Sequence, residues 1–274
     1  MTYSRPGRRR PRSQLAAGCG CAGVVGVVTA IVLIIALTGW LFSVLRDPVP
    51  GARRQPIPTD IPPAAAAAPP AIDIHAAGRT SEQLAGWAAP IAEATSLDSQ
   101  AVRAYGNAAL IAAESWPACH LNWNTLAGVG WVETRHGTYT GKTFDTARLD
   151  DNGVADPPII GPALNGNGFA HMPDSDGGTY DGDSQYDRAV GPMQFVPSSW
   201  KIYGRDANGD GVADPQQIDD AALGAANLLC ADSRDLATED GWRQAVRAYN
   251  NSNDYVVKVR DAAANYALNQ PATR

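Results

Sequence analysis

Apolar and polar positions along this chain change rhythm several times, and each change marks an element. Ala22–Leu45 runs 24 positions without a charge, enough helix at ~1.5 Å per residue to cross a bilayer core of ~30 Å. Asp47–Arg79 has no periodicity and sets eight prolines around a five-alanine run, Ala64–Ala68; it reads as a semi-extended linker of up to roughly 100 Å. Helical rhythm begins near Thr80. Ser81–Thr95 has helical composition, with Ser81 a candidate cap and Pro90 a bend or break. Asp98 caps a second helix running to Ser115, whose apolar stripe is Val102, Tyr105, Ala109 and Ala112, and Trp116-Pro117 ends it. A third helix spans Asn122–Arg135 and is stopped by Gly137. From Thr138 to Arg188 the periodicity fades into Gly, Asp, Pro and Asn. That is too long for a passive connection, so it is expected to fold as an ordered lobe lining a cleft, with short strands. Helices resume at Pro197–Tyr203, where Pro197 suits a first turn, and continue at Ile218–Ala231, Glu239–Ala248 and Asp254–Leu268. The expected fold is mainly α with an irregular acidic insert, preceded by one transmembrane helix.

The flanks of the apolar run give its orientation. Arg5, Arg8, Arg9, Arg10 and Arg12 precede it with no acid, which keeps the N-terminus in the cytoplasm and sends the chain beyond Arg46 outside. Trp40 and Phe42 suit the outer interface. A cleaved signal would be shorter and followed by a small-residue cleavage site. The Leu15–Cys19 stretch precedes the apolar run, so it is no lipoprotein box; Cys19 and Cys21 read as free or acylated thiols at the inner boundary. The expected division is therefore a cytoplasmic basic tail (1–21), a transmembrane helix (22–45), a Pro/Ala-rich linker (46–79) and a globular domain (80–270) on the outer side of a single-pass membrane protein. All 28 acidic residues follow Arg46 with 16 of the 22 basic ones, leaving that part at −12. Such a charge argues against nucleic acid as a partner and suits neutral or amino-sugar polymers and cations. Cys119 and Cys230 are the only exported cysteines, an even pair that suggests a disulfide in an oxidising compartment; two buried thiols are the alternative.

Within the third helix, Leu126–Gly137 reads LAGVGWVETRHG. Wound at 100° per residue, Leu126, Val129, Gly130 and Glu133 share a face, so Glu133 stands where a core residue is expected. A carboxylate there must be paired, with Arg135 or Arg103 for example, or protonated with a raised pKa. It is thus an ion-pair member or a general acid. Further on, Asp206-Ala-Asn208-Gly-Asp210-Gly211-Val212 offers oxygen ligands at alternate positions and a glycine at the sharp turn, the front half of a calcium loop. Its twelfth position is Gln217 instead of Glu, and Asp214, Asp219 or Asp220 are candidates to close a longer loop. Asn152–Pro157 faintly repeats Asp210–Pro215; with Asp174, Asp176, Asp181 and Asp183 it suits turns better than metal. His75, His120, His136 and His171 have no metal spacing, and Ser198 and Ser199 lack a nucleophile-elbow context.

Three segments in order, Gly130–Gly137 (GWVETRHG), Gly191–Trp200 (GPMQFVPSSW) and Ala248-Tyr249-Asn250, resemble the motifs of lytic murein transglycosylases. The resemblance is greatest to the membrane-bound B type of that lysozyme-like superfamily and covers about Ala118–Leu268. It implies that Glu133 is the single catalytic acid, that Gln194 lines the cleft, and that Tyr249 and Asn250 lie near the scissile sugar. It also implies a calcium loop held by Asp206, Asn208, Asp210 and the Val212 carbonyl, with Asp220 as the distant closing acid, and no cofactor for the chemistry itself. The implied reaction cleaves the β-1,4 bond between N-acetylmuramic acid and N-acetylglucosamine in peptidoglycan, leaving 1,6-anhydromuramyl ends. Two alternatives stand beside it: a lysozyme-type hydrolase with a second carboxylate such as Asp176 or Asp181, and a non-catalytic wall-binding module. Met193, Phe195 and Trp200 are expected in the core.

Overall fold

The computed structural model describes residues 54–139 and 146–273. The basic tail and the expected membrane span Ala22–Leu45 lie outside the described residues. Among the described residues no helix is long and apolar enough to cross a membrane. Seven α-helices are described: α1 (Ala85–Thr95), α2 (Ser99–Ser115), α3 (Trp123–Thr134), α4 (Pro197–Tyr203), α5 (Ile218–Cys230), α6 (Glu239–Tyr249) and α7 (Asn253–Ala267). Between α3 and α4 lie four short strands, β1 (Arg148–Leu149), β2 (Ala155–Asp156), β3 (Ile160–Ala163) and β4 (Arg188–Val190). They form two antiparallel pairs, β1 with β2 and β3 with β4.

Local chemistry explains most boundaries. Asp98 accepts the Gln100 N–H at 2.8 Å and starts α2; Thr238 and Ser252 cap α6 and α7 in the same way. A side-chain cap of this kind is worth ~1 kcal/mol. Three expectations are corrected. Ser81 is not a cap: it is buried inside a 3-10 turn, Thr80–Leu84, and α1 starts after Leu84. Pro90 does not end α1, which runs through it. Pro90 and Gly86 are both exposed, so the Gly86 carbonyl that Pro90 leaves unpaired is open to water. The third helix stops at Thr134, because the left-handed backbone begins at Arg135, two residues before Gly137.

The core is helical. Trp123, Leu126 and Val129 of α3 are buried with Val256, Val259 and Tyr266 of α7, and Val102 and Tyr105 of α2 with Leu229 and Ala225 of α5. The small-residue run in α3 permits a close helix crossing: a Cβ on Gly128 would stand 2.7 Å from the Val259 carbonyl oxygen of α7. The disulfide Cys119–Cys230 forms as expected and joins the turn before α3 to the end of α5. Closing a loop of this length is worth up to ~4–5 kcal/mol in the chain-entropy model.

The expected linker ends earlier than its composition indicates. The compact unit begins at Gln55, and Gln55–Arg79 lies along it as a strap. Asn124, buried in the first turn of α3, accepts the Ala66 N–H at 3.1 Å and donates to the Ala64 carbonyl at 3.0 Å and to Ala263 of α7 at 3.1 Å. Trp123 donates its indole N–H to Ala67 at 2.9 Å, and Gln270 pairs with both backbone groups of Gln55. An extended Pro/Ala segment has polar backbone to satisfy, and these side chains satisfy it at Gln55, Ala64, Ala66 and Ala67. At its end, Arg79 donates to buried Asp219 at 2.7 Å and to Gln100 at 2.9 Å.

The insert is ordered where it is described. Its segment Asn152–Pro157 meets the stretch that follows the similar Asp210–Pro215: Ala155 N–H donates to the Gln216 carbonyl at 3.0 Å, and Ile218 N–H to the Gly153 carbonyl at 2.8 Å. β4 then leads directly into Gly191–Trp200, which brings the second motif under the end of α3.

Candidate active site

Glu133 occupies the last turn of α3 and lines a cavity of about 370 Å³ with Val132, Arg135 and Tyr139. Its Oε1 accepts a hydrogen bond from the Tyr255 hydroxyl, presented by the first turn of α7. Burial pushes the Glu133 carboxyl from 4.5 up to about 7, against a smaller opposing pull from the Tyr255 hydrogen bond. The acid form thus persists towards neutral pH, as a general acid requires. Arg103, one of the expected partners of Glu133, pairs with Glu82, and the Arg135 guanidinium lies 4.1 Å from the centre of the Trp131 ring.

The second motif is attached from two sides. Thr134 donates its hydroxyl to the Pro192 carbonyl at 2.6 Å, and Tyr249 donates to the Met193 carbonyl at 2.7 Å. The Tyr249 and Tyr255 rings stack 9° from parallel at 6.4 Å. Burial and the neighbouring Glu133 charge hold both phenols well above their ordinary pKa, so each stays a neutral donor. Met193, Phe195 and Trp200 are buried, as expected. Gln194 is half-buried with a left-handed backbone, φ 49°, and its amide donates to the Gly191 carbonyl at 3.1 Å. It therefore braces its own turn and makes no hydrogen bond to Glu133. Asn250 is exposed at the extended cap of α6. Glu133 and Tyr249 are thus linked through Tyr255, while Gln194 is turned to Gly191 and neither it nor Asn250 lines the Glu133 cavity.

Residues 178–269 match the family model of the transglycosylase SLT domain. That match covers about a third of the chain. It supports a lytic transglycosylase or lysozyme-like relationship, and at that level it supports peptidoglycan cleavage of the transglycosylase type. No curated protein and no solved structure matches the chain. The matched stretch holds Gly191–Trp200, the loop 206–220, Tyr249, Asn250 and Tyr255. Glu133 lies outside it and is tied to it by Tyr255 and, through Thr134, by Pro192.

The loop Asp206–Val212 is held by its own side chains. Asp206 accepts the Gly209 N–H at 2.7 Å and the Gly211 N–H at 2.8 Å, Asn208 accepts from Asp210, and Asp210 accepts from Val212. Asp220 is fully buried behind it, its Oδ1 accepting from Ala207 and Asn208 and its Oδ2 from Asp214. Burial raises the Asp220 carboxyl to about 7, although these amides pull the other way. In the insert, the carboxylates offered above as water activators serve as backbone acceptors. Asp176 takes the amides of Gly178 and Tyr180, and Asp181 those of Asp183 and Arg188. Asp174, Asp176 and Asp187 form the one group of three acids within 4.8 Å of one another among the described residues, and Asp174 likewise anchors a turn through Asp176, Gly177 and Gly178.

Tyr255, Thr134 and the Met193 carbonyl tie Glu133 and the second motif together and are not anticipated from the sequence. Ser252, three residues earlier, carries the one usable signal for Tyr255: as a helix cap it sets Tyr255 in the first turn of α7, facing back towards Tyr249.

Proposed function

We propose that this protein cleaves the β-1,4 bond between N-acetylmuramic acid and N-acetylglucosamine of peptidoglycan and leaves 1,6-anhydromuramyl ends. The observation that carries the reading is Glu133: a carboxyl kept protonated by burial, facing a cavity, and hydrogen-bonded into the transglycosylase-like part of the chain. Glu133 gives its proton to the glycosidic oxygen, and the C1–O4 bond breaks. The carboxylate so formed, stabilised by the Tyr255 hydroxyl, takes the proton of the muramyl C6 hydroxyl as that oxygen closes on C1. One proton leaves the enzyme and one returns, and no water enters. A second carboxylate, as in the paired-acid schemes, is not needed; Asp176 and Asp181 are occupied by backbone amides, which disfavours the hydrolase alternative. Tyr249, with Gln194 and Asn250 at the rim, binds the sugars.

The reaction takes place on the wall side of the membrane, with the chain anchored through Ala22–Leu45 and its N-terminus in the cytoplasm. A calcium ion suits the loop at 206–212. Asp206, Asn208, Asp210 and the Val212 carbonyl would hold it and Asp220 would close the site; the ion would brace the loop and take no part in the chemistry. If so, a chelator lowers the melting temperature by several degrees and added calcium restores it; an unchanged melting temperature removes the ion from the account.

The test of the activity is muropeptide release from purified sacculi by the wild type and by Glu133→Gln. The variant is expected to fold and release nothing, which also disposes of the wall-binding alternative. Release at the wild-type rate by the variant would remove Glu133 from the role of acid.

A further inference from the structure

His136 is a buried imidazole that the proposed reaction does not use. It stands three residues after Glu133 at the corner where α3 ends. Arg135, His136 and Gly137 all have left-handed backbone, at φ 54°, 63° and 86°. Two of the three carry side chains, and such conformations persist where the surroundings enforce them. The enforcing contacts are specific. The His136 N–H reaches back to the Gly130 carbonyl at 2.9 Å. Its ring lies between two tyrosines from different helices, Nδ1 at 3.0 Å from the Tyr105 hydroxyl of α2 and Nε2 at 2.8 Å from the Tyr266 hydroxyl of α7. The Trp131 ring covers it at 5.8 Å. A Cβ at position 130 would fall 2.1 Å from the Tyr105 oxygen, so a glycine is required there for the chain of contacts to form.

Counting donors gives the chain a direction. A neutral imidazole donates from one nitrogen and accepts at the other. If Tyr266 donates to Nε2, then Nδ1–H donates to the Tyr105 oxygen. The Tyr105 hydroxyl is then free to point at the Met193 sulfur, 4.0 Å away. Every proton finds an acceptor in this arrangement, and it ends on the residue whose carbonyl holds Tyr249. The opposite tautomer leaves the Tyr105 hydroxyl as the donor to Nδ1 and its contact with Met193 unused. Burial and the nearby Arg135 charge push the imidazole down to about 3, so it stays neutral throughout the working range.

We propose that His136 is a positioning residue for Glu133: a neutral Nδ1–H imidazole that pins the corner behind the acid to α2, α7 and the second motif. This deepens the proposed function and rests on it, because the role is defined by the acid it positions. Loosening the corner lets the last turn of α3 shift and water reach Glu133. A shift of ~1 Å is enough to cost about 100-fold in rate, and hydration lowers the carboxyl towards its ordinary value.

The test uses the full-length protein in two measurements. In ¹⁵N-histidine-labelled wild type, the His136 resonances should show protonated Nδ1 and bare Nε2 from pH 5 to 8; an Nε2–H tautomer, or titration within that range, overturns the chain. The kinetic arm compares His136→Asn, which suits left-handed backbone and keeps a donor near Nδ1, with Tyr266→Phe, which keeps the ring and removes one hydrogen bond. Both should lower kcat about 10- to 100-fold, leave KM within about twofold, and move the alkaline limb of the kcat profile to lower pH. Folded variants with wild-type kcat and limb overturn the proposal, and Tyr266→Phe decides the matter if His136→Asn does not fold. Absence of product from the wild type would instead refute the transglycosylase reading, and the tautomer measurement does not depend on it.

Discussion

In the proposed reaction one carboxyl, Glu133, carries the chemistry, and its surroundings suit it to two opposite duties. Burial favours the neutral acid that starts the reaction; the Tyr255 hydroxyl favours the carboxylate that finishes it. The sign of the pH dependence follows. The acid form is present below about pH 7 and lost above it, so kcat should fall as pH rises through that value. Tyr255→Phe removes the interaction that lowers the Glu133 pKa, so the alkaline limb should move to higher pH, opposite to the shift expected for the His136 variants. A hydrogen bond to a charged group contributes ~1.5–3 kcal/mol, so kcat should drop by roughly 10- to 100-fold. Steady-state rates between pH 4 and 9 check this. A limb that stays in place would mean that Tyr255 does not touch the acid in solution. The Glu133 position is legible from the sequence, because one charge in an apolar helical stripe has few explanations. Tyr255 is not legible, because it lies 122 residues away and meets Glu133 only through the packing of α3 on α7.

The elements divide between those with periodicity and those without it. Helices α2, α4, α5, α6 and α7 lie within a residue or two of their expected bounds, because each combines an apolar stripe with a polar cap or a first-turn proline. The strap Gln55–Arg79 is the contrasting case. Proline and alanine carry no stripe, and its partners are single side chains far away in sequence, so composition alone gives a linker. Its docking can be tested at Asn124. Replacement by Ala leaves the Ala66 N–H and the Ala64 and Ala263 carbonyls without their buried partner. The expected cost is ~2–4 kcal/mol, or a melting temperature lower by roughly 6–12 °C, with the active-site pH profile unchanged. A shift within 1–2 °C would show that the strap is not docked in solution. The insert is intermediate: its Asp and Gly residues announce turns, but its links to Gln216–Ile218 depend on backbone amide and glutamine contacts that no spacing rule anticipates.

At the scale of the molecule, the helical body presents Glu133 at a cavity, and the strap Gln55–Arg79 lies along that body. A docked strap leaves less free chain than an extended 33-residue linker, whose reach would be ~100 Å. The central claim, that Glu133 works alone as acid and then base, is decided by the products. Sacculi digested with the full-length protein and analysed by mass spectrometry should yield muropeptides ending in 1,6-anhydromuramic acid, and none with Glu133→Gln. Muropeptides ending in reducing muramic acid, one water heavier, would contradict it and place a water-activating group in the site.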